Sequence, residues 1–136
     1  MIKLIVGNKG SGKTKTLIDM INKAAKTTSG NIVCIEKGLK MTYDIDYSVR
    51  LIDIESYSVE GFDAFYGFIA GICAGNYDIT HVFIDNLCKT VGQDISKDTE
   101  TFLNWLDAFG EKNNVKFTVT ISADVSSATD GMQKFL

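Results

Sequence analysis

The chain has 136 residues, 45% of them apolar, with no proline and no low-complexity tract. This suits one domain spanning 1–136 and excludes a disordered or collagen-like chain. The net charge of −3 is unevenly spread: residues 1–40 carry eight lysines against Asp19 and Glu36, a net of +6, while residues 41–136 carry six basic and fifteen acidic residues, a net of −9.

In chain order, "IKLIV" (2–6) reads as a buried strand. A glycine-rich patch follows, and then Leu17, Ile18, Ile21, Ala24 and Ala25 recur at helical spacing to about residue 27. "TTSGN" stops that helix, and "IVCIE" (32–36) is a second strand. "KGLKMTYDIDY" is an irregular polar connection. "VRLIDIE" (49–55) alternates like a third strand, and Ser58 is placed to cap a helix over 59–75. "THVFID" (80–85) is a fourth strand. "NLCKTVGQDISKD" is a loop with room for a short turn. Phe102, Trp105, Leu106 and Phe109 mark a core-facing helix near 98–112, "VKFTVTI" (115–121) is a fifth strand, and a short helix closes the chain. Strands alternating with helices predict an α/β three-layer sandwich: a mainly parallel five-stranded sheet with helices on both faces. Ligands of such a sheet belong at the carboxyl ends of its strands.

The longest apolar-rich run, "AFYGFIAGICAG", is twelve residues, too short to span a bilayer, and no signal-peptide pattern opens the chain. Cys34, Cys73 and Cys88 lack CxxC spacing and sit in apolar patterns. They predict buried, reduced thiols in a cytoplasmic protein. Positive charge gathered around the glycine patch suits a local anion site. A single arginine, Arg50, gives no support for nucleic-acid reading.

The patch itself is Gly7-Asn8-Lys9-Gly10-Ser11-Gly12-Lys13-Thr14, which matches GxxxxGK[ST] at a strand-to-helix junction. Each residue type has its own reason. Glycines permit unusual dihedrals and remove Cβ atoms, so backbone N–H groups can turn inward around phosphate oxygens. The helix that follows offers its free N–H groups and positive dipole end to the same anion. Lys13 is assigned to the β- and γ-phosphates, and the Thr14 hydroxyl to Mg²⁺. Lys9 and Lys15 flank the loop with further charge. "HVFID" closes an apolar strand with Asp85, the pattern of a second, Mg²⁺-holding acid.

On these two motifs the chain resembles the P-loop NTPase superfamily over essentially its whole length, and is similar to the RecA-like, additional-strand branch. The resemblance implies ATP and Mg²⁺ as ligands, with Thr14 and Asp85 at the metal. It also implies that the 115–121 strand lies between the strands of the two motifs. The loop spacing is closer to that of ATPases and small kinases than of GTPases, and there is no NKxD guanine motif.

The catalytic complement is thinner. Related ATPases often follow the strand-end aspartate with a glutamate; here the residue is Asn86, which can orient water but cannot take its proton. Glu36, at the end of the second strand, is the alternative base, with Glu55 behind it. Either one is equally well read as a solvated strand-end carboxylate. Ser122, with Thr120 as fallback, is the candidate γ-phosphate sensor, and Asp124 a candidate for the base. Arg50 lies at the wrong end of its strand for a role in cis. Lys9, Lys15, Lys37 and Lys40 are the remaining charges near the phosphates. Gly67, Gly71 and Gly75, four apart on one helix, imply close backbone approach, either onto the sheet or across a homodimer seam. His81 reads as structural. The functions expected are an ATP–Mg²⁺-binding protein with slow or partner-stimulated hydrolysis, a small-molecule or nucleotide kinase, or a regulatory nucleotide-binding module that does not hydrolyse.

Overall fold

The computed structural model describes residues 2–136. Five strands form one all-parallel sheet: β1 (Ile2–Gly7), β2 (Asn31–Glu36), β3 (Arg50–Asp53), β4 (Ile79–Ile84) and β5 (Lys116–Ser122). Their spatial order is β1-β5-β4-β2-β3, so β5 lies between β1 and β4. Four α-helices connect them: α1 (Lys13–Thr27), α2 (Gly61–Gly75), α3 (Leu87–Val91) and α4 (Lys97–Asn113). Two 3-10 turns, Val125–Ser127 and Asp130–Phe135, replace the terminal helix expected from the sequence.

Both faces of the sheet are covered, because central parallel strands are apolar on both sides. On one face Leu17 and Ile21 of α1 pack on Ile32, Cys34 and Phe83. On the other, α2, α3 and α4 pack on Val33, Ile35, Val82, Ile84, Phe117 and Val119. Aromatic rings join α2 to α4 there, with Phe62 and Phe102 centroids 5.1 Å apart and Tyr66 edge-on to Trp105 at 4.8 Å. Trp105 and Phe109 are partly buried against this core, on the helix the sequence assigns to it.

Three elements differ from the sequence reading. Ser58 does not cap α2. It sits at φ 54° and closes a 3-10 turn over Ile54–Tyr57, and α2 starts two residues beyond Glu60-preceding Val59, at Gly61 with φ 78°. The 37–49 connection is not merely polar: Met41, Ile45 and Val49 are buried beside Leu17 and Ile21. Among the thiols, Cys34 is fully buried while Cys73 and Cys88 are half-buried; all three are free.

The α2 glycines also resolve differently from one of the two alternatives. Gly67, Gly71 and Gly75 face outward, and a Cβ on any of them would meet nothing within 4 Å. They do not serve packing on the sheet. In the isolated chain Gly71→Ala should therefore stabilise by about 0.8–1 kcal/mol, the helix-propensity difference. Urea unfolding measures this, and a loss of stability would show that the face is covered in solution. No helix among the described residues is long and apolar enough to cross a membrane.

Candidate functional site

The carboxyl edge of the sheet collects the ends of β1, β5, β4 and β2. The glycine-rich loop joins β1 to α1 there. Gly10 and Gly12 take φ +87° and +86°, conformations that side chains oppose. Ser11 N–H donates to the Asn8 carbonyl at 3.0 Å, which closes the turn. The first intrahelical bond of α1 runs from Thr16 N–H to the Gly12 carbonyl, 3.1 Å. No side chain caps the helix start, no acid lies in its first turn, and the Lys13, Thr14 and Lys15 N–H groups have no acceptor among the described residues. Three such donors with the positive dipole end make an anion-receptive concavity.

Lys13 is largely withdrawn from solvent. It is 8% exposed, folded back so that Nζ donates to the Asn8 carbonyl at 3.4 Å. Gly7 makes room for this, since a Cβ there would press on Ser11 Oγ, 2.5 Å away, and touch the Lys13 stem. Thr14, Lys15 and Lys9 are exposed. Ser122 pairs in register with Gly7, and Ala123 N–H continues that ladder to the Gly7 carbonyl at 3.1 Å. This brings the exposed Ser122 beside the loop. Asp124 follows, accepting from Ser126 N–H and Oγ at 2.9 and 2.7 Å. Those bonds, and then the Asn8 side chain, hold its carboxyl below the usual aspartate range. Asp124 thus braces the loop.

Asp85 stands just past β4, its N–H continuing the ladder to the Ile35 carbonyl at 2.9 Å. Thr120, fully buried on β5, fixes it: the hydroxyl donates to Asp85 Oδ1 at 2.9 Å and accepts from Asn86 N–H at 2.8 Å. Thr120 therefore spends its hydroxyl on Asp85 and is not a free phosphate sensor. Thr90 Oγ1 adds a bond to the Asp85 carbonyl at 3.0 Å. Asn86 sits at φ 52° and starts α3, half-buried. Asp85 Oδ2 has no hydrogen-bond partner among the described residues, which leaves one carboxylate oxygen for a cation. No cluster of three or more His, Cys, Asp or Glu side chains among the described residues would hold a metal alone. One carboxylate and the Thr14 hydroxyl are hard oxygen donors that fit Mg²⁺ carried by phosphates and water.

Thr120→Val removes both of its bonds at constant shape. It should cost roughly 1–3 kcal/mol, since Asn86 N–H is left unsatisfied. Chemical unfolding with and without Mg²⁺ reads the effect.

Glu36 is 1% exposed, and both of its oxygens are engaged: Oε1 accepts Lys40 N–H at 3.1 Å and Oε2 accepts Met41 N–H at 3.4 Å. Burial raises its pKa against those bonds, and the nearby Asp85 and Asp53 charges raise it further. The carboxylate holds the 37–41 backbone, so it is not a solvated strand end. To act as a base it would have to release that loop. Asp53, its register partner on β3, accepts Gly38 N–H at 2.8 Å. Glu55 is exposed in the turn after β3. Arg50 opens β3 at the amino edge, away from the loop. His81 lies in the amino-terminal half of β4, stacked on Phe83 at 6.3 Å, and burial lowers its pKa.

The sequence reading missed Lys89. In a stretch read as a loop, α3 carries it just past the carboxyl end of β4, where the charge of Lys40 lowers its pKa. The bracing roles of Asp53 and Thr120 were also invisible, since each depends on a contact between segments far apart in the chain; that of Thr90 depends on the short turn of α3.

The fold and site together define an all-parallel α/β protein with an uncapped glycine-loop helix start beside a braced aspartate. A comparison with protein-family models finds none that matches the chain, and one with curated proteins finds no match.

Proposed function

We propose that the chain is a P-loop nucleotide-binding protein that takes a Mg²⁺-bound nucleoside triphosphate, ATP in preference to GTP, and hydrolyses its β–γ bond slowly or on stimulation by a partner. The observation that carries this reading is the uncapped start of α1 behind Gly10 and Gly12, with Lys13 folded over the loop. The strand order, with β5 between β1 and β4, supports it. In this reading the free N–H groups of Lys13, Thr14 and Lys15 hold the phosphates. Lys13 exchanges the Asn8 carbonyl for a phosphate oxygen, and Ser122 faces the terminal phosphate. Thr14 and Asp85 hold the cation, which supplies charge neutralisation along the phosphate chain.

Slow turnover follows from the residues at the water position. Asn86 can orient water without deprotonating it, Glu36 is committed to the 37–41 backbone, and Arg50 is remote. Lacking an arginine finger alone can cost about 10³–10⁵ in rate. Asn86 also favours a second reading, a regulatory module that binds without hydrolysing. Single-turnover phosphate release from radiolabelled ATP tests both. A rate near the roughly 10 s⁻¹ of a median enzyme would overturn the slow reading, and no binding of any nucleotide would overturn the whole proposal. A homodimer through Gly67, Gly71 and Gly75 belongs to the same reading, and sedimentation with and without ATP decides it.

A further inference from the structure

We propose that Lys37, Lys40 and Lys89, with Lys9, form a second anion subsite beside the glycine-rich loop, built to hold a phosphate group. The four lysines come from three separate segments. Lys9 follows β1, Lys37 and Lys40 follow β2, and Lys89 lies on α3 after β4. Because the sheet is parallel, all three segments emerge at one edge.

The segment carrying Lys37 and Lys40 is pinned. Gly38 N–H is held by Asp53, Lys40 and Met41 N–H by Glu36, and the Met41 side chain is buried beside α1. The arrangement crowds like charges. The positive charges of Lys40 first, then Lys37 and Lys9, hold the Lys89 ammonium's pKa below the ordinary lysine value. None of the four forms an ion pair with a carboxylate among the described residues. Glu36 and Asp53, at the carboxyl ends of β2 and β3, already accept backbone N–H groups. Lysines free to choose would spread into solvent; a dianion among them turns the mutual repulsion into attraction.

A polar cleft of about 840 Å³ adjoins the cluster, lined by Lys37, Glu55, Glu60, Thr90 and Gln93 among others. That is room for a small ligand. The phosphate has two sources: the terminal phosphate of the nucleotide, or a phosphate-bearing second ligand seated in the cleft. Only the first source rests on the nucleotide-binding reading.

The test titrates wild type and Lys40→Gln/Lys89→Gln with ATP–Mg²⁺, ADP–Mg²⁺ and pyrophosphate by calorimetry. Both lysines are exposed, so the variant should melt like wild type. Lys112→Gln/Lys116→Gln makes the same charge change at the opposite edge and controls for general electrostatics. The expected result is an at least tenfold loss of pyrophosphate affinity in Lys40→Gln/Lys89→Gln and less than twofold in the control. A tenfold loss for ATP with ADP unchanged assigns the subsite to the nucleotide's terminal phosphate. Pyrophosphate binding to ADP-loaded wild type, lost in the variant, assigns it to a separate ligand. If the variant binds all three like wild type, or the control loses as much, the subsite is overturned and the nucleotide reading stands. If wild type binds pyrophosphate in a Lys40/Lys89-dependent way but neither nucleotide, the nucleotide reading falls and the subsite stands. If wild type binds none of the three, both fall.

Discussion

Lys13→Met is expected to abolish nucleotide binding while leaving the apo fold nearly intact. In wild type, a ligand at a hundred times its dissociation constant adds about 2.7 kcal/mol of stability. For a domain of this size that raises the melting temperature by roughly 9 °C. Lys13 is 8% exposed and its stem lies against Gly7, so truncation to alanine would mix lost packing with lost charge. Methionine keeps an unbranched stem and removes the ammonium. The variant should melt within about 2 °C of wild type without ligand, less than the shift expected for 1 kcal/mol. It should show no shift with ATP–Mg²⁺. Thermal melts of both proteins across a nucleotide series make the measurement, and a wild-type-like shift in Lys13→Met would overturn the role given to the ammonium.

The second large effect is expected at Glu36. Glu36→Ala leaves the Lys40 and Met41 N–H groups without acceptors, one of them buried. Each unsatisfied group costs about 1–3 kcal/mol, less where water can enter, so the sum is roughly 2–4 kcal/mol. The loop should loosen with it, which threatens the seating of Met41, Ile45 and Val49 against α1. Hydrogen exchange at the Lys40 and Met41 amides would report the opening directly.

Glu36→Gln should be milder, since one acceptor oxygen remains. Its pH dependence has a definite sign. The folded pKa of Glu36 is raised, chiefly by burial, above the ordinary glutamate value. A group raised in this way contributes stability that is fully present below its unfolded pKa and is lost as pH rises through the folded value. Glutamine has no such dependence. The stability difference should therefore move in favour of Glu36→Gln as pH rises from about 4.5, and denaturant unfolding at several pH values would show the slope.

The reach of the sequence follows a physical pattern. The glycine-rich loop, the five strands and the placement of Asp85 were legible because each rests on local chemistry: periodicity, glycine dihedrals, a charge closing an apolar run. The direction of the Glu36 carboxylate was not. It turns on a loop four to five residues downstream whose backbone donors become visible only in three dimensions. Thr120 was noticed for its position as a fallback phosphate sensor, and its use was not legible, because its partner Asp85 stands just past the neighbouring strand. Ser58 looked like a helix cap, but the chain needed a left-handed residue to leave the 3-10 turn, and this moved the start of α2 to Gly61. Lys89 was hidden by a five-residue helix too short to show a period.

The position of β1 at the sheet's edge has a consequence for how the molecule is made. Its partner in the sheet is β5, with Ile2 opposite Phe117 and Gly7 opposite Ser122. The first strand can join the sheet only after β5 has been made, and that closure carries the loop entropy of every residue between. Until then the glycine-rich loop has no wall on its β5 side, and neither Ser122 nor the Asp124 brace is in place. If the proposed nucleotide site is correct, a ligand would find it complete only after that closure, and would stabilise chains that have reached it.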